Sequence, residues 1–389
     1  MRYLKLFIPL LYCAVCITAC AEKNFVVSDS YHQEIRTASK SIAQRIAPEL
    51  KKQQSPWQAR QILVGEFINA QTAEMTTSGH DLHAMLLIDL RQELPDMKIS
   101  ELTPAGVAQQ DAIALQGTTH YQPNRGATDA ASWFKVMITA TELQQQTKLG
   151  EAQLFVNARH FDPIPSRFYR DAPMYLVGAS HKQRLAAISG QTANLRTILQ
   201  TEALIGEAVT EYEKANYPVS EKKFKAILGT GSQKNLIALS GLYQSLMKQR
   251  RYQEAEEAFG ELVQQAITDN NISVKFLFRV RSKELRDEGD LDKQYVIWIR
   301  QIARQIQASG KCMEINGHAS KSGSAEFNEK LSLQRAQWIK EQMAGVVPAL
   351  SKKLTAHGKG FREAIVGSGS DNALDAIDRR VDFVLTPCR

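Results

Sequence analysis

Gly317-His318-Ala319-Ser320-Lys321-Ser322-Gly323-Ser324-Ala325-Glu326-Phe327-Asn328-Glu329-Lys330-Leu331-Ser332-Leu333-Gln334-Arg335-Ala336 decides how the C-terminal third of this 389-residue chain is read. It follows an apolar run, Cys312 to Gly317, that reads as a strand. It leads into a helical pattern from Phe327 to Met343. Upstream, Val274-Lys275-Phe276-Leu277-Phe278 reads as another strand. Leu291, Tyr295, Trp298, Ile302 and Ile306 recur at three and four, which predicts a helix with one apolar face, stopped by Gly310. Downstream, Leu354 to Gly358 and Arg380 to Leu385 add two strands. The order is βαβαββ over 271–389.

Three blocks in this region carry a resemblance. Gly317-His318-Ala319-Ser320 and Gly323-Ser324 form the first, Asn328 to Ala336 the second, and Asp378-Arg379-Arg380-Val381 the third. In order and spacing they resemble the OmpA-like peptidoglycan-binding domain. The resemblance implies a module that holds the diaminopimelate of the peptidoglycan stem peptide. Arg335 would pair with a ligand carboxylate through its guanidinium fork, more directionally than a lysine. Asn328 and backbone N–H groups between Ser320 and Gly323 would add neutral hydrogen bonds, and Arg379 a further charge. A solvated strand end is the other reading of Arg379 and Arg380. The chain departs from the family at Ser320, where the resemblance calls for the Asp that meets the ligand ammonium. Losing that charge-assisted bond costs about 1–3 kcal/mol. Wall binding is then weakened, altered in its stem-peptide preference, or absent, with the module kept as a dock. Glu326 is the nearby carboxylate that could compensate.

Working outward, residues 192–268 are helical and repeat. Tyr217 and Phe224 are seven apart, Tyr252 and Phe259 likewise, and the second pair lies 35 residues after the first. Ala208, Tyr212, Leu239, Tyr243 and Ala255 fill the small and aromatic positions, with Ser220 where an Ala is usual. This resembles the tetratricopeptide (TPR) repeat. Two copies bury too little alone, so they are expected to lean on a neighbouring domain. The stretch is either a groove for a partner peptide or a helical spacer.

Residues 31–178 read as a mixed α/β domain. A helix from Tyr31 to about Lys52 is broken at Ser55-Pro56, and Gln61 to Phe67 is a buried strand. Thr76-Thr77-Ser78-Gly79 introduces a helix carrying Leu82, Met85, Leu86 and Leu90 that ends before Pro95. Met97 to Leu102 and Ile113 to Gly117 are short strands. Phe134–Ala140 and Ala152–Ala158 alternate, with a turn at Gly150, and predict an antiparallel hairpin. The order resembles the periplasmic α/β domain of FlgO, LpoB and CsgG-type lipoproteins. Ser166 to Asp171 is polar and aromatic, a packed loop or a partner contact. His80 and His83 are three apart but lack a third ligand, so they read as surface residues and no metal site is expected.

The N-terminus carries Arg2 and Lys5, an apolar run from Leu4 to Val15, and Ile17-Thr18-Ala19-Cys20. The last four resemble the lipobox of bacterial lipoproteins. That implies a signal peptide over 1–19, lipidation of Cys20, a tether over 20–30, and anchoring by buried acyl chains. An ordinary cleaved signal with a chance Cys is the other reading. Ala21 in place of Asp implies the outer membrane, facing the periplasm. Of five cysteines, Cys13 and Cys16 leave with the signal and Cys20 takes lipid, so Cys312 and Cys388 remain as a disulfide pair. Their bond would close a 76-residue loop, worth about 4 kcal/mol.

The formal charge is +7, which mildly favours anionic surfaces. No basic run with interleaved aromatics argues for nucleic acid. No nucleophile–base set, paired carboxylates or phosphate loop points to an enzyme, and no cofactor is expected. The expectation is a non-enzymatic outer-membrane lipoprotein of three regions, α+β overall. It links membrane to wall and recruits unidentified envelope proteins, or serves as a structural adaptor that does not bind the wall.

Overall fold

The computed structural model describes residues 35–53, 60–122, 132–190, 194–229, 234–279, 282–365, 369 and 374–388. The readings made for 1–30, Cys20 among them, and for Ser55-Pro56 lie outside the described residues. The chain is mixed α+β, with two mixed sheets and a run of helices between them. Among the described residues no helix is long and apolar enough to cross a membrane.

The first part runs α1 (Ile35–Lys51), β1 (Gln61–Asn69), α2 (Thr77–Glu93), β2 (Lys98–Glu101), α3 (Pro104–Val107), β3 (Ile113–Gln122), β4 (Trp133–Glu142) and β5 (Thr147–Asn157). The sheet order is β2-β1-β3-β4-β5, with β1 parallel to both neighbours and β3, β4 and β5 antiparallel. β1 is apolar on both faces because helices cover both. Its Ile62, Val64 and Phe67 join the core under α2, which α1 shares, and Leu63 faces a small cluster with Val107, Leu195 and Leu199. Thr76 caps α2, its hydroxyl accepting from the Gly79 N–H at 3.2 Å.

The hairpin turn falls at 143–146, not at Gly150, and Gln146 supplies the positive φ of 56°. Gly150 sits inside the ladder opposite Ala140. A Cβ there would lie 2.9 Å from the Glu49 side chain, so this glycine admits α1 rather than turning the chain.

Helices follow: α4 (Arg167–Asp171), α5 (Ala179–Ile188), α6 (Leu195–Glu213), α7 (Tyr217–Gly229), α8 (Leu236–Lys248) and α9 (Tyr252–Thr268). The 166–171 stretch is thus a short helix that buries Phe168 and Tyr169. Ser220 is fully buried, and its hydroxyl donates to the Ala208 carbonyl at 2.9 Å with Ser245 Oγ 3.3 Å away. A serine is tolerated there because its polar atom is satisfied inside the packed hairpin.

The last part is β6 (Ile272–Val274), α10 (Leu291–Ser309), β7 (Cys312–Gly317), α11 (Ala325–Val346), β8 (Leu354–Gly358) and β9 (Val381–Thr386). The sheet order is β6-β9-β7-β8, with β7 and β8 parallel and β9 antiparallel to its neighbours. β6 ends at Val274, short of the expected Phe278. Lys275 leaves the sheet to pair with Glu74 at 2.6 Å and to donate to the Tyr169 carbonyl at 2.7 Å. Gly317 and Gly358 let α11 lie directly on β7 and β8: a Cβ at Gly317 would sit 2.0 Å from the Ser332 carbonyl oxygen, and one at Gly358 2.4 Å from that of Glu329. Cys312 and Cys388 form a disulfide, Cα to Cα 4.9 Å. It closes over the antiparallel end where Cys312 faces Thr386.

The helical hairpins do lean on a neighbour. One continuous core runs from Phe168 through Tyr212, Phe224 and Phe259 to Trp298, Ile315 and Phe383. At the junction Trp298 Nε1 donates to the Tyr243 hydroxyl at 2.7 Å. Beyond β8, Ile365 and Ile377 reach back and pack into the core of the first sheet.

Candidate functional site

α11 begins beside the loop that leaves β7, and a hollow of about 1100 Å³ opens between them. Ser320 and Gly323 come from that loop, Asn328 and Arg335 from α11, and Arg379 from the approach to β9. All five site residues expected from sequence therefore line one cavity. The far wall is the segment after β6, where Phe278 forms a β-bridge with Leu285.

Arg335 is 4% exposed. Its Nε donates to the Ser282 carbonyl at 3.1 Å and its Nη2 to the Arg279 carbonyl at 3.2 Å. The guanidinium lies 4.9 Å over the Phe278 ring. These carbonyls and the ring fix the orientation of the guanidinium.

Asn328 is placed differently from the expectation that it meets ligand. Its Nδ2 donates to the carbonyls of Ser322 at 2.7 Å and Ser324 at 3.1 Å. It shapes the loop rather than presenting those donors to the hollow. Gly323 has φ of 86°, the left-handed turn that brings the loop back to α11. Ser324 caps α11, accepting from the Phe327 N–H at 3.2 Å, so a helix N-terminus borders the cavity and favours negative charge. Ser320 is buried, with its hydroxyl 3.3 Å from that of Ser322.

Glu326 is exposed and does not line the cavity. The carboxylates on the wall are Asp287 and Glu288, which sequence reading missed. Asp287 pairs with Arg279 at 2.8 Å and Glu288 with Arg286. With Arg335 and Arg379, the described lining holds four arginines and two carboxylates. The alternating charges from Arg279 to Glu288 were the available signal, but nothing local places that segment opposite α11.

Arg380 points away, into a buried network below the site. Its Nε donates to Asp382 Oδ2 at 2.7 Å, and His318 Nε2 lies 3.2 Å from the same oxygen. The Ser273 hydroxyl donates to the other oxygen. Burial would raise the Asp382 carboxyl, but the His318 contact, the Arg380 charge and the Ser273 bond outweigh it and hold it at about 2. This network fixes the strand end from which Ala319 and Ser320 depart. Arg380 is therefore a buried ion-pair partner, not a solvated strand end.

No family model and no curated protein matches the chain. Solved structures similar to part of it include the peptidoglycan-associated lipoprotein from Burkholderia pseudomallei, 25% identical over 28% of this chain and 88% of that one, with a TM-score of 0.24. The OmpA-like domain of FopA1 from Francisella tularensis subsp. tularensis SCHU S4 is 22% identical over 31% of this chain and 75% of that one, with a TM-score of 0.24. A putative MotB-like protein from Desulfovibrio vulgaris is 22% identical over 36% of this chain and 99% of that one, with a TM-score of 0.25.

Proposed function

We propose that this chain is a non-catalytic envelope lipoprotein that contacts peptidoglycan through the arginine-lined hollow. On this reading Cys20 carries the lipid that holds it to the outer membrane on the periplasmic side. The N-terminal and repeat regions engage envelope proteins. The observation that carries the wall contact is the meeting of Ser320, Gly323, Arg335 and Arg379 on one arginine-lined cavity at a helix N-terminus. A stem-peptide carboxylate suits that lining, and Arg335 is pre-set by its loop contacts, which lowers the cost of ordering it.

Co-sedimentation of the purified chain with isolated sacculi tests this. Wild type should pellet, and Arg335→Ala should cut retention at least tenfold, the loss of one charge-assisted contact. Arg379→Ala, at a half-buried position, should weaken it without disturbing the loop. A wild-type chain that stays in the supernatant would sink the proposal.

One observation favours a second reading, the non-wall-binding adaptor. Ser320 offers a hydroxyl turned to Ser322 where the resemblance calls for a carboxylate. On that reading neither wild type nor variant sediments, and the chain is a subunit of a surface or secretion assembly.

A further inference from the structure

Phe327 is 45% exposed, and among the described residues it is the one aromatic among the exposed large hydrophobic side chains. Its ring enters no hydrophobic cluster and no ring pair among the described residues. Local structure does not call for it either. Phe327 is the third residue of α11, where a Glu or Gln would return the Ser324 bond and complete a capping box. A phenyl ring left in water at that position is unfavourable and contributes nothing to the fold.

The ring does have a place in the hollow beside α11. Phe327, Leu331 and Arg335 are spaced by four, so they form one stripe down the helix. All three line the hollow, and their exposure falls from 45% through 8% to 4%. The stripe therefore runs from an aromatic lip, past an apolar shoulder, to a guanidinium at depth. Two turns of helix make that distance about 12 Å. Ser322, Ser324, Asp287 and Glu288 line the same hollow, and the two carboxylates stay well exposed despite their pairs with Arg279 and Arg286. A second hollow, the crevice beside β1, has no such lip: the one Phe, Tyr or Trp on its described lining, Tyr169, is buried. His83, read from sequence as a surface residue, is buried in that wall, its Nε2 3.2 Å from the Val64 carbonyl oxygen.

An exposed phenyl ring framed by carboxylates, hydroxyls and guanidinium groups suits a sugar. A pyranose presents an apolar C–H face that lies flat against an aromatic ring, and hydroxyls at its edge that need donors and acceptors. The spacing agrees. In a peptidoglycan stem two amino acids separate diaminopimelate from the sugar, and three extended residues span about 10 Å. A carboxylate held at Arg335 thus leaves the sugar level with Phe327. We propose that Phe327 is a saccharide-stacking residue and that the hollow takes a glycopeptide, sugar and stem together, rather than the stem peptide alone. This rests on the wall-contact reading of Arg335.

Calorimetry on the full chain with two ligands is the test: a free stem tripeptide ending in diaminopimelate, and the same tripeptide carrying its disaccharide. The disaccharide ligand should bind wild type about tenfold more tightly, near the most that one aromatic contact supplies. Phe327→Ala should remove that gain and Phe327→Trp should keep it, since either ring offers a flat face. Phe327 is exposed and outside every core cluster, so these substitutions leave the fold intact. Arg335→Ala should weaken both ligands. Equal affinity of wild type for the two ligands overturns the sugar contact and leaves the wall-contact reading standing. So does a Phe327→Ala variant that loses both ligands alike, which would seat a peptide side chain on the ring. Failure of wild type to bind either ligand overturns both proposals.

Discussion

The two hollows are built on opposite principles. The crevice beside β1, of about 670 Å³, is framed by regular strands and long helices, and its Arg184, Lys214 and Lys223 pair with Glu202, Glu211 and Glu207. The cavity beside α11 is lined largely by loops and gathers arginines around a helix N-terminus. One chain thus offers two hollows of different make-up, and overall charge says little about either. The formal excess of +7 suggests a uniformly anion-seeking protein, whereas the described lining of the first hollow holds five carboxylates to three Lys and Arg, and that of the second four arginines to two carboxylates.

That contrast can be broken or sharpened in three ways. The largest effect comes from the disulfide, which staples only the second sheet. Replacing Cys312 and Cys388 by Ser should cost about 4 kcal/mol, the chain-entropy value for a 76-residue loop. Denaturant unfolding followed by tryptophan fluorescence would measure it. Retention on sacculi should fall as the second sheet loosens. Unchanged retention would mean that the cavity beside α11 does not depend on the staple.

Acid gives a middle effect. The Asp382 carboxyl is depressed in the folded chain, so its stabilisation is complete above the unfolded value near 4 and is lost as pH falls towards 2. From 3.8 to about 2 this amounts to about 2 kcal/mol. Asp382→Asn should flatten that part of a stability–pH profile; an unchanged slope would show that other carboxyls carry it.

Smallest is Ser320→Asp. A carboxylate placed beside Arg335 would add a negative charge to the arginine-lined cavity. Retention on sacculi should rise roughly tenfold if the stem peptide brings its ammonium to that point. A fall would mean that the cavity prefers a purely anionic headgroup.

Much of the second sheet was legible in sequence. β7 from Cys312 to Gly317 and the helix through Asn328 and Arg335 carry strong local patterns, and Gly317, one of the two glycines that admit α11, opens the first block. What was not legible depends on distant partners. Nothing near Gly150 shows that Glu49 lies over it, so a glycine between two alternating runs reads as the turn. Lys275 ends β6 early because of Glu74, some two hundred residues away. His83 reads as a surface residue until β1 supplies the Val64 carbonyl. The crevice beside β1 draws on β1, β2, α2, α5 and α6 together, so no single window could reveal it.

The return of Ile365 and Ile377 to the first core has a practical consequence. The region from 271 onwards is not an excisable cassette. Cut out alone, it would bare those isoleucines, along with the face of β6 that meets Met174, and should self-associate at modest concentration. Grafting it onto another scaffold as a wall-binding tag would need those positions recoloured with polar side chains first.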